Sequence, residues 1–166
     1  MIIHFRCSIL GLVLASAGLA AVAADPDSGA PLAIRSIAEV ESTSIESGRK
    51  VVKLIPADRV VPGDRVIYTL EVRNAGSIAI DAPRVRHPVP EHMRYVADSA
   101  LGPGAEVSFS VDGGQSFDRP ENLKVKGPDG LPRPAVAADY TDIRWQLKNS
   151  LKAKSVAFVR FRAVVK

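Results

Sequence analysis

The sequence contains a single cysteine, Cys7, which lies within an apolar N-terminal stretch. That stretch has a basic start with Arg6, an apolar run over residues 9–14 and a small-residue end at Ala21-Val22-Ala23. This is the three-part pattern of a secretory signal peptide, so residues 1–23 are predicted to be removed on export. The mature chain then has no thiol, which excludes disulfides, thiolate metal ligands and cysteine nucleophiles.

Long apolar segments are also scarce, and neither positive nor negative charge is in large excess. The apolar run in the leader is too short to span a bilayer core of about 30 Å, and no transmembrane segment is predicted in the mature chain. The protein is therefore predicted to be periplasmic or extracellular. Removing Arg6 from the 22 Lys and Arg residues leaves 21 against 18 Asp and Glu, so the basic excess of a nucleic-acid binder is absent and no nucleic-acid partner is expected.

Residues that could form a metal site are few. The mature chain has two histidines, His87 and His92, on either side of a proline-containing loop. They are weak candidates for a zinc or copper pair, because without cysteine they would need carboxylates such as Glu91 or Asp98 to complete the ligand set. Histidines at a turn or on the surface are the simpler interpretation, and no metal or cofactor is expected.

Catalytic motifs are equally scarce. No Gly-x-Ser-x-Gly elbow is present, and the two histidines are the only conventional bases for a serine or threonine nucleophile. Paired carboxylates, such as Asp112 with Asp118 or Glu121, leave acid–base chemistry open. The sequence predicts no catalytic residue, and a metal- or carbohydrate-binding protein or enzyme is kept as an alternative.

The sequence is rich in apolar–polar alternation with a period of two. This alternation indicates strands with one buried face over residues 66–72, 105–111, 143–147 and 156–165. Residues 32–40 fit a strand or a helical face, and we predict a strand. Turn-forming sequences such as Pro62-Gly63-Asp64 separate these segments. Short strands with frequent turns predict an all-β, antiparallel sandwich or barrel.

The domain organisation follows from these boundaries. Residues 24–31 are polar and rich in proline and glycine, which predicts a flexible lead-in. Residues 32–166 then form one domain, a size that suits a single core. The section over residues 103–141 has no function that the sequence reveals.

Residues 61–76, Val-Pro-Gly-Asp-Arg-Val-Ile-Tyr-Thr-Leu-Glu-Val-Arg-Asn-Ala-Gly, resemble the opening of the bacterial surface repeat known as domain of unknown function 11. Pro88-Val89-Pro90 with Tyr95-Val96, and Trp145-Gln146-Leu147 before residues 156–165, are similar to later parts of that repeat. The resemblance covers residues 60–166 and departs from the family's pattern at His87 and at Lys152-Ala153-Lys154. It implies an immunoglobulin-like β-sandwich in a cell-envelope protein, and it implies no activity.

A short motif at residues 110–117 resembles an Asp-box, the Ser-x-Asp-x-Gly-x-Ser/Thr-Trp/Phe hairpin of sugar-active propellers. Its physical logic is structural, because an aspartate can accept backbone hydrogen bonds across a glycine turn. We predict a structural hairpin, with a ligand or calcium contact as the lesser alternative. The motif residues are Ser110, Asp112, Gly114, Ser116 and Phe117.

Positive charge concentrates near the C-terminus, at Lys148, Lys152, Lys154, Arg160, Arg162 and Lys166. This hairpin could bind anionic envelope polymers, but we interpret it as an edge strand that lysines protect against edge-to-edge pairing. The leading functional hypothesis is a non-catalytic structural or interaction module. The alternative, a periplasmic assembly factor that pairs a sheet edge with a partner strand, requires residues 32–40 or the final strand to be an open edge.

Overall fold

The computed structural model describes residues 31–166, so the predicted signal peptide and residues 24–30 of the lead-in lie outside the described residues. The described chain is almost entirely β. Two single-turn 3₁₀ helices, Pro120–Asn122 and Ala137–Asp139, are its helical segments. The strands are β1 Leu32–Glu46, β2 Arg49–Pro56, β3 Arg65–Asn74, β4 Arg84–Pro88, β5 Met93–Tyr95, β6 Ala105–Ser110, β7 Lys124–Lys126, β8 Pro132–Pro134, β9 Asp142–Leu147 and β10 Val156–Val165.

The strands form two main sheets with antiparallel pairing throughout. A five-stranded sheet has the order β2-β1-β3-β10-β5, and a three-stranded sheet has the order β4-β9-β6. A separate two-stranded ribbon pairs β7 with β8. This arrangement confirms the predicted all-β antiparallel sandwich. Each of the five predicted strand segments corresponds to an observed strand, although β6 ends at Ser110, one residue before the predicted end. The ambiguous segment at residues 32–40 is the first part of β1.

The core lies between the two sheets, where the alternating apolar faces meet. The large sheet contributes mainly β3 and β10, the small sheet mainly β9. Trp145 of β9 is fully buried and its ring lies 6.1 Å from that of Phe161 on β10. The buried apolar cluster comprises Leu70, Val72, Val85, Tyr95, Phe109, Leu123, Ile143, Trp145, Leu147, Leu151, Val159, Phe161 and Ala163.

The section between residues 103 and 141 belongs to this core and is not a separate unit. It contains β6, the β7–β8 ribbon and both 3₁₀ turns. Leu123 is buried in the main cluster, and Tyr140 stacks on Phe109 with ring centroids 4.4 Å apart. No helix within residues 31–166 has the length and apolar character needed to cross a membrane.

The interpretation of the C-terminal strand as a protected edge is wrong. β10 pairs with β3 along most of its length and with β5 at its end, so it lies inside the large sheet. Arg160 and Arg162 are therefore on a sheet face. The edge strands of the large sheet are β2 and β5, and residues 41–46 of β1 extend past β3 with a second open side. Sequence periodicity predicted the faces of β10, but the neighbours of a strand depend on contacts between distant residues.

Candidate interaction surface

The most unusual feature of the fold is the hairpin of β1 and β2, which we call the arm (residues 39–56). Residues 32–40 of β1 pair with β3, and residues 39–46 pair with β2. Residues 41–46 therefore have β2 as their only strand partner within the described chain. At about 3.3 Å per residue, this part of the arm reaches roughly 20 Å beyond the last pair of β1 with β3.

A two-residue turn closes the arm. Ser47 and Gly48 both have positive φ, 51° and 76°, which is the backbone of a type I′ turn and matches the twist of an antiparallel hairpin. Glycine adopts this conformation without steric cost. The turn sets Glu46 opposite Arg49 and thereby determines the register of the whole arm.

The register also decides which backbone groups of β2 remain open. Glu46 and Arg49 flank the turn as a hydrogen-bonded pair, and such pairs recur at every second residue. The bond from the Ala57 N–H to the Ala38 carbonyl, 3.0 Å long, follows the same alternation at the other end of the arm. Even-numbered residues of β1 thus bond to odd-numbered residues of β2. The N–H and C=O groups of Lys50, Val52 and Leu54 consequently face away from β1.

No other strand covers this open side within residues 31–166, since β2 is the outermost strand of its sheet. The side chains of the arm are correspondingly exposed, including large apolar ones. Exposed fractions are 78% for Ile45, 53% for Val52 and 47% for Leu54. These three side chains share one face of the arm by the pairing register. An open, apolar edge of this kind is a template for pairing with another strand.

Charges on the arm balance each other. Residues 39–56 contain three acidic residues and three basic ones. Glu46 forms a salt bridge with Lys53 and also lies opposite Arg49. The three acidic residues all lie on β1 and the three basic ones on β2, so the arm is neutral as a whole while its outer strand is basic.

Sequence reasoning missed β2 and the arm. Residues 41–56 contain the signals of a hairpin: Ser47-Gly48 is a turn dipeptide, and the β-branched residues Ile45, Val51 and Val52 flank it. The search for alternating apolar and polar residues does not detect β2, because this strand has apolar residues on both faces. Both of its faces are exposed, so no buried core imposes the alternation.

His87, the first candidate metal ligand, is half-buried among aromatic rings. Its ring lies 5.3 Å from that of Phe161 and 5.6 Å from that of Tyr68. Nδ1 lies 2.6 Å from the Pro88 carbonyl, which can only accept, so Nδ1 carries the proton and Nε2 accepts from the Ser36 hydroxyl at 3.2 Å. Burial lowers the pKa of His87, against smaller opposite effects of the Pro88 carbonyl and Asp142. Both ring nitrogens are engaged within the fold.

His92 has a different environment. It is exposed, and its carbonyl accepts a hydrogen bond from the Lys166 backbone N–H at 2.9 Å. Among residues 31–166 no group of three or more His, Cys, Asp or Glu side chains is arranged to hold a metal ion. The structure therefore does not bring the candidate histidines together with Glu91 or Asp98 as a ligand set.

The motif at residues 110–117 forms a tight hydrogen-bonded turn around Asp112. The carboxylate accepts the Ser110 hydroxyl at 2.6 Å, the Ser116 hydroxyl at 2.5 Å and the backbone N–H groups of Gln115 and Ser116. The hydroxyls of Ser110 and Ser116, followed by the backbone donors, hold the pKa of Asp112 well below its usual range. Both carboxylate oxygens are occupied by the turn itself.

Arg86 ties this turn to the small sheet. Its guanidinium bonds to the buried carboxylate of Asp142 at 2.7 Å and to the Gly113 carbonyl at 2.9 Å. A Cβ at Gly114 would displace the Arg86 guanidinium, and the φ of 79° at this position favours glycine. The guanidinium of Arg144 lies over the ring of Phe117, with its central carbon 4.5 Å from the ring centroid. The motif joins two parts of the fold.

The carboxylates considered for acid–base chemistry have structural contacts too. Asp118 accepts from the Asn122 side chain and the Arg119 backbone, and these bonds lower its pKa. Glu121 lies in the exposed first 3₁₀ turn. Asp118 also pairs with Phe109 through two backbone bonds. The carboxylate of Asp118 is thus engaged in a turn, and that of Glu121 lies on the surface.

A depression of about 580 Å³ lies where the outer face of β10 meets the loop before β6. Its lining is mostly apolar and includes Leu101, Pro103 and Phe158, with Arg160 as the one titratable side chain. It contains no histidine or carboxylate, the groups on which acid–base catalysis most often depends. Arg160 borders this depression, and Arg162 borders a second one on the outer face of the sheet.

Comparison with known protein families, characterised proteins and solved structures finds no match to this chain.

Proposed function

We propose that this chain is an exported, non-catalytic module of the cell envelope that acts by pairing the open edge of β2 with a strand of a partner. The observation that carries the proposal is the arm, whose outer strand combines unpaired backbone groups with exposed apolar side chains. Strand addition uses both: main-chain bonds give affinity, and alternate side chains give specificity. The strand-pairing hypothesis from the sequence named residues 32–40 or the final strand as the open edge, and the edge proposed here is a different one, β2.

Two further observations agree with a non-catalytic role. Both ring nitrogens of His87 and both carboxylate oxygens of Asp112 are engaged by neighbouring groups of the fold. A general base or metal ligand needs a free lone pair directed at a substrate or ion. The predicted leader and the resemblance of residues 60–166 to the envelope repeat support the proposal that the module acts outside the cytoplasm.

Affinity capture tests the proposal. We expect the tagged, exported protein to retain a reproducible partner from its native envelope fraction, and Val52→Glu to abolish that retention, because it replaces a central apolar side chain of the edge by a charged one and so removes apolar burial from the pairing. Ile45→Glu is the matched control, since Ile45 is more exposed and lies on the same face, but on β1, where the open backbone groups point to the opposite side of the arm from β2.

Equal retention by wild type and Val52→Glu would contradict the proposal. Loss of retention in His87→Ala or His92→Ala, with a stoichiometric metal in the native mass of the wild type, would favour the metal-binding alternative instead.

A further inference from the structure

We infer that the partner strand is β2 of a second copy of this chain, so that two arms join into one continuous sheet across a two-fold axis. The inference rests on the proposed function and names the partner for the same edge. It follows from the backbone groups of β2, its charges and its exposed apolar side chains, each of which restricts the register in which two copies can pair.

The backbone restricts the register first. In an antiparallel pair of identical strands, opposed residues must lie on the same face of the joined sheet, so the two-fold axis passes through a residue and not between two residues. The open groups belong to Lys50, Val52 and Leu54. An axis through Val52 opposes Val52 to its own copy and Lys50 to Leu54 of the other chain. Each opposed pair exchanges two bonds, about six in total, and every open donor and acceptor of these residues is used.

The charges select the same register. With the axis at Val52, Arg49 lies opposite Ile55, and Lys53 lies opposite Val51, so no two like charges are directly opposed. Moving the axis to Lys53 opposes Lys53 to itself, and moving it to Val51 opposes Arg49 to Lys53. Like charges directly opposed across strands are destabilising. Each β2 brings three basic residues to the interface, and the pairing of Lys53 with Glu46 of its own chain lowers the repulsion between the two copies.

Apolar burial supplies the driving force. On one face of the joined sheet, the Val52 side chains of both copies meet at the axis, and each Leu54 lies beside them. These side chains are 53% and 47% exposed in the single chain, and burial of apolar area contributes about 25 cal/mol per Å². The Lys50 side chains flank this strip and extend over it with their aliphatic parts.

Sedimentation equilibrium of the exported protein tests the register with paired charges. We expect wild type to dimerise reversibly and both Val52→Glu and Val52→Lys to weaken self-association by about tenfold or more, because each opposes two like charges at the axis. A mixture of the two variants should restore dimers, since glutamate then lies opposite lysine. Ile45→Glu should dimerise as wild type does. Near-ultraviolet circular dichroism from the buried Trp145 checks that every variant is folded.

Three results would overturn the inference: a monomeric wild type, equal weakening by Ile45→Glu and Val52→Glu, or a mixture of the two Val52 variants that remains monomeric. The proposed function can survive this failure. If wild type is monomeric but still captures another envelope protein in a manner that Val52→Glu abolishes, the edge pairs with a different chain. If both experiments fail, the arm is not a pairing surface.

Discussion

Trp145→Ala should destabilise the fold by about 3–5 kcal/mol, the range for removal of a large aromatic side chain from a core. Trp145 is fully buried, packs against Phe161 and lies at the centre of β9, the strand that holds the small sheet together. Since small domains have about 5–15 kcal/mol of stability, this variant should unfold at a much lower urea concentration. Urea denaturation followed by far-ultraviolet circular dichroism measures the difference.

Trp145→Phe should cost less than half as much, for a reason specific to this site. The indole Nε1 is the one buried side-chain donor among the described residues without a hydrogen-bond partner, and an unsatisfied buried donor costs about 1–3 kcal/mol. Phenylalanine removes that donor while keeping most of the apolar volume. Phe158→Ala, at a residue that is 54% exposed, is the control for loss of an aromatic ring. Equal costs for Trp145→Phe and Trp145→Ala would contradict this account.

Asn74→Ala should destabilise the fold by about 2–4 kcal/mol, because it removes three hydrogen bonds at a fully buried position. The Asn74 amide donates to the Ile78 carbonyl at 2.8 Å and to the Leu151 carbonyl at 2.9 Å, and its oxygen accepts from the Gly76 N–H at 3.0 Å. This one side chain therefore joins the turn after β3 to the segment before β10. Thermal or urea denaturation measures the loss.

Asn74→Asp tests the same account with almost no change of shape. The carboxylate keeps the bond from Gly76 but places an oxygen against two carbonyls, so this variant should be at least as unstable as Asn74→Ala near neutral pH. Asn149→Asp, at an exposed position of the same residue type, should change stability by less than about 0.5 kcal/mol. If Asn74→Asp changed the free energy of unfolding only slightly, the three hydrogen bonds of Asn74 would contribute little to stability.

Local alternation predicted much of the core because it reports which face of a strand is buried. Val66, Leu70 and Val72 alternate along β3, and all three are buried. Asn74 shows the limit of such reasoning: the sequence marks it as part of a turn, while its partner Leu151 is 77 residues away. Contacts across that separation decide the stability of the site, and no local pattern encodes them.

The candidate site was less predictable than the core. Its position depends on sheet order, which placed β10 inside the sheet and left β2 at the edge. The basic residues of β10 fit both a protected edge strand and the exposed face of an inner strand. The neighbours of β10 decide between these two, and they show an inner strand. The arm, in turn, needs few buried side chains, so β2 lacks the alternation by which β3, β6, β9 and β10 were predicted. The short strands β4, β5, β7 and β8 were not predicted by alternation either. The local signals that point to it are the turn dipeptide Ser47-Gly48 and the β-branched residues on either side.

The proposal that β2 acts through strand pairing is tested most directly by amide hydrogen exchange of the arm, measured residue by residue at low protein concentration before and after addition of native envelope extract. We expect the amides of Lys50, Val52 and Leu54, which face the open side, to become protected. Those of Val51 and Lys53, which already bond to β1, should change little. Protection elsewhere in the sandwich, with Lys50, Val52 and Leu54 unchanged, would contradict the account.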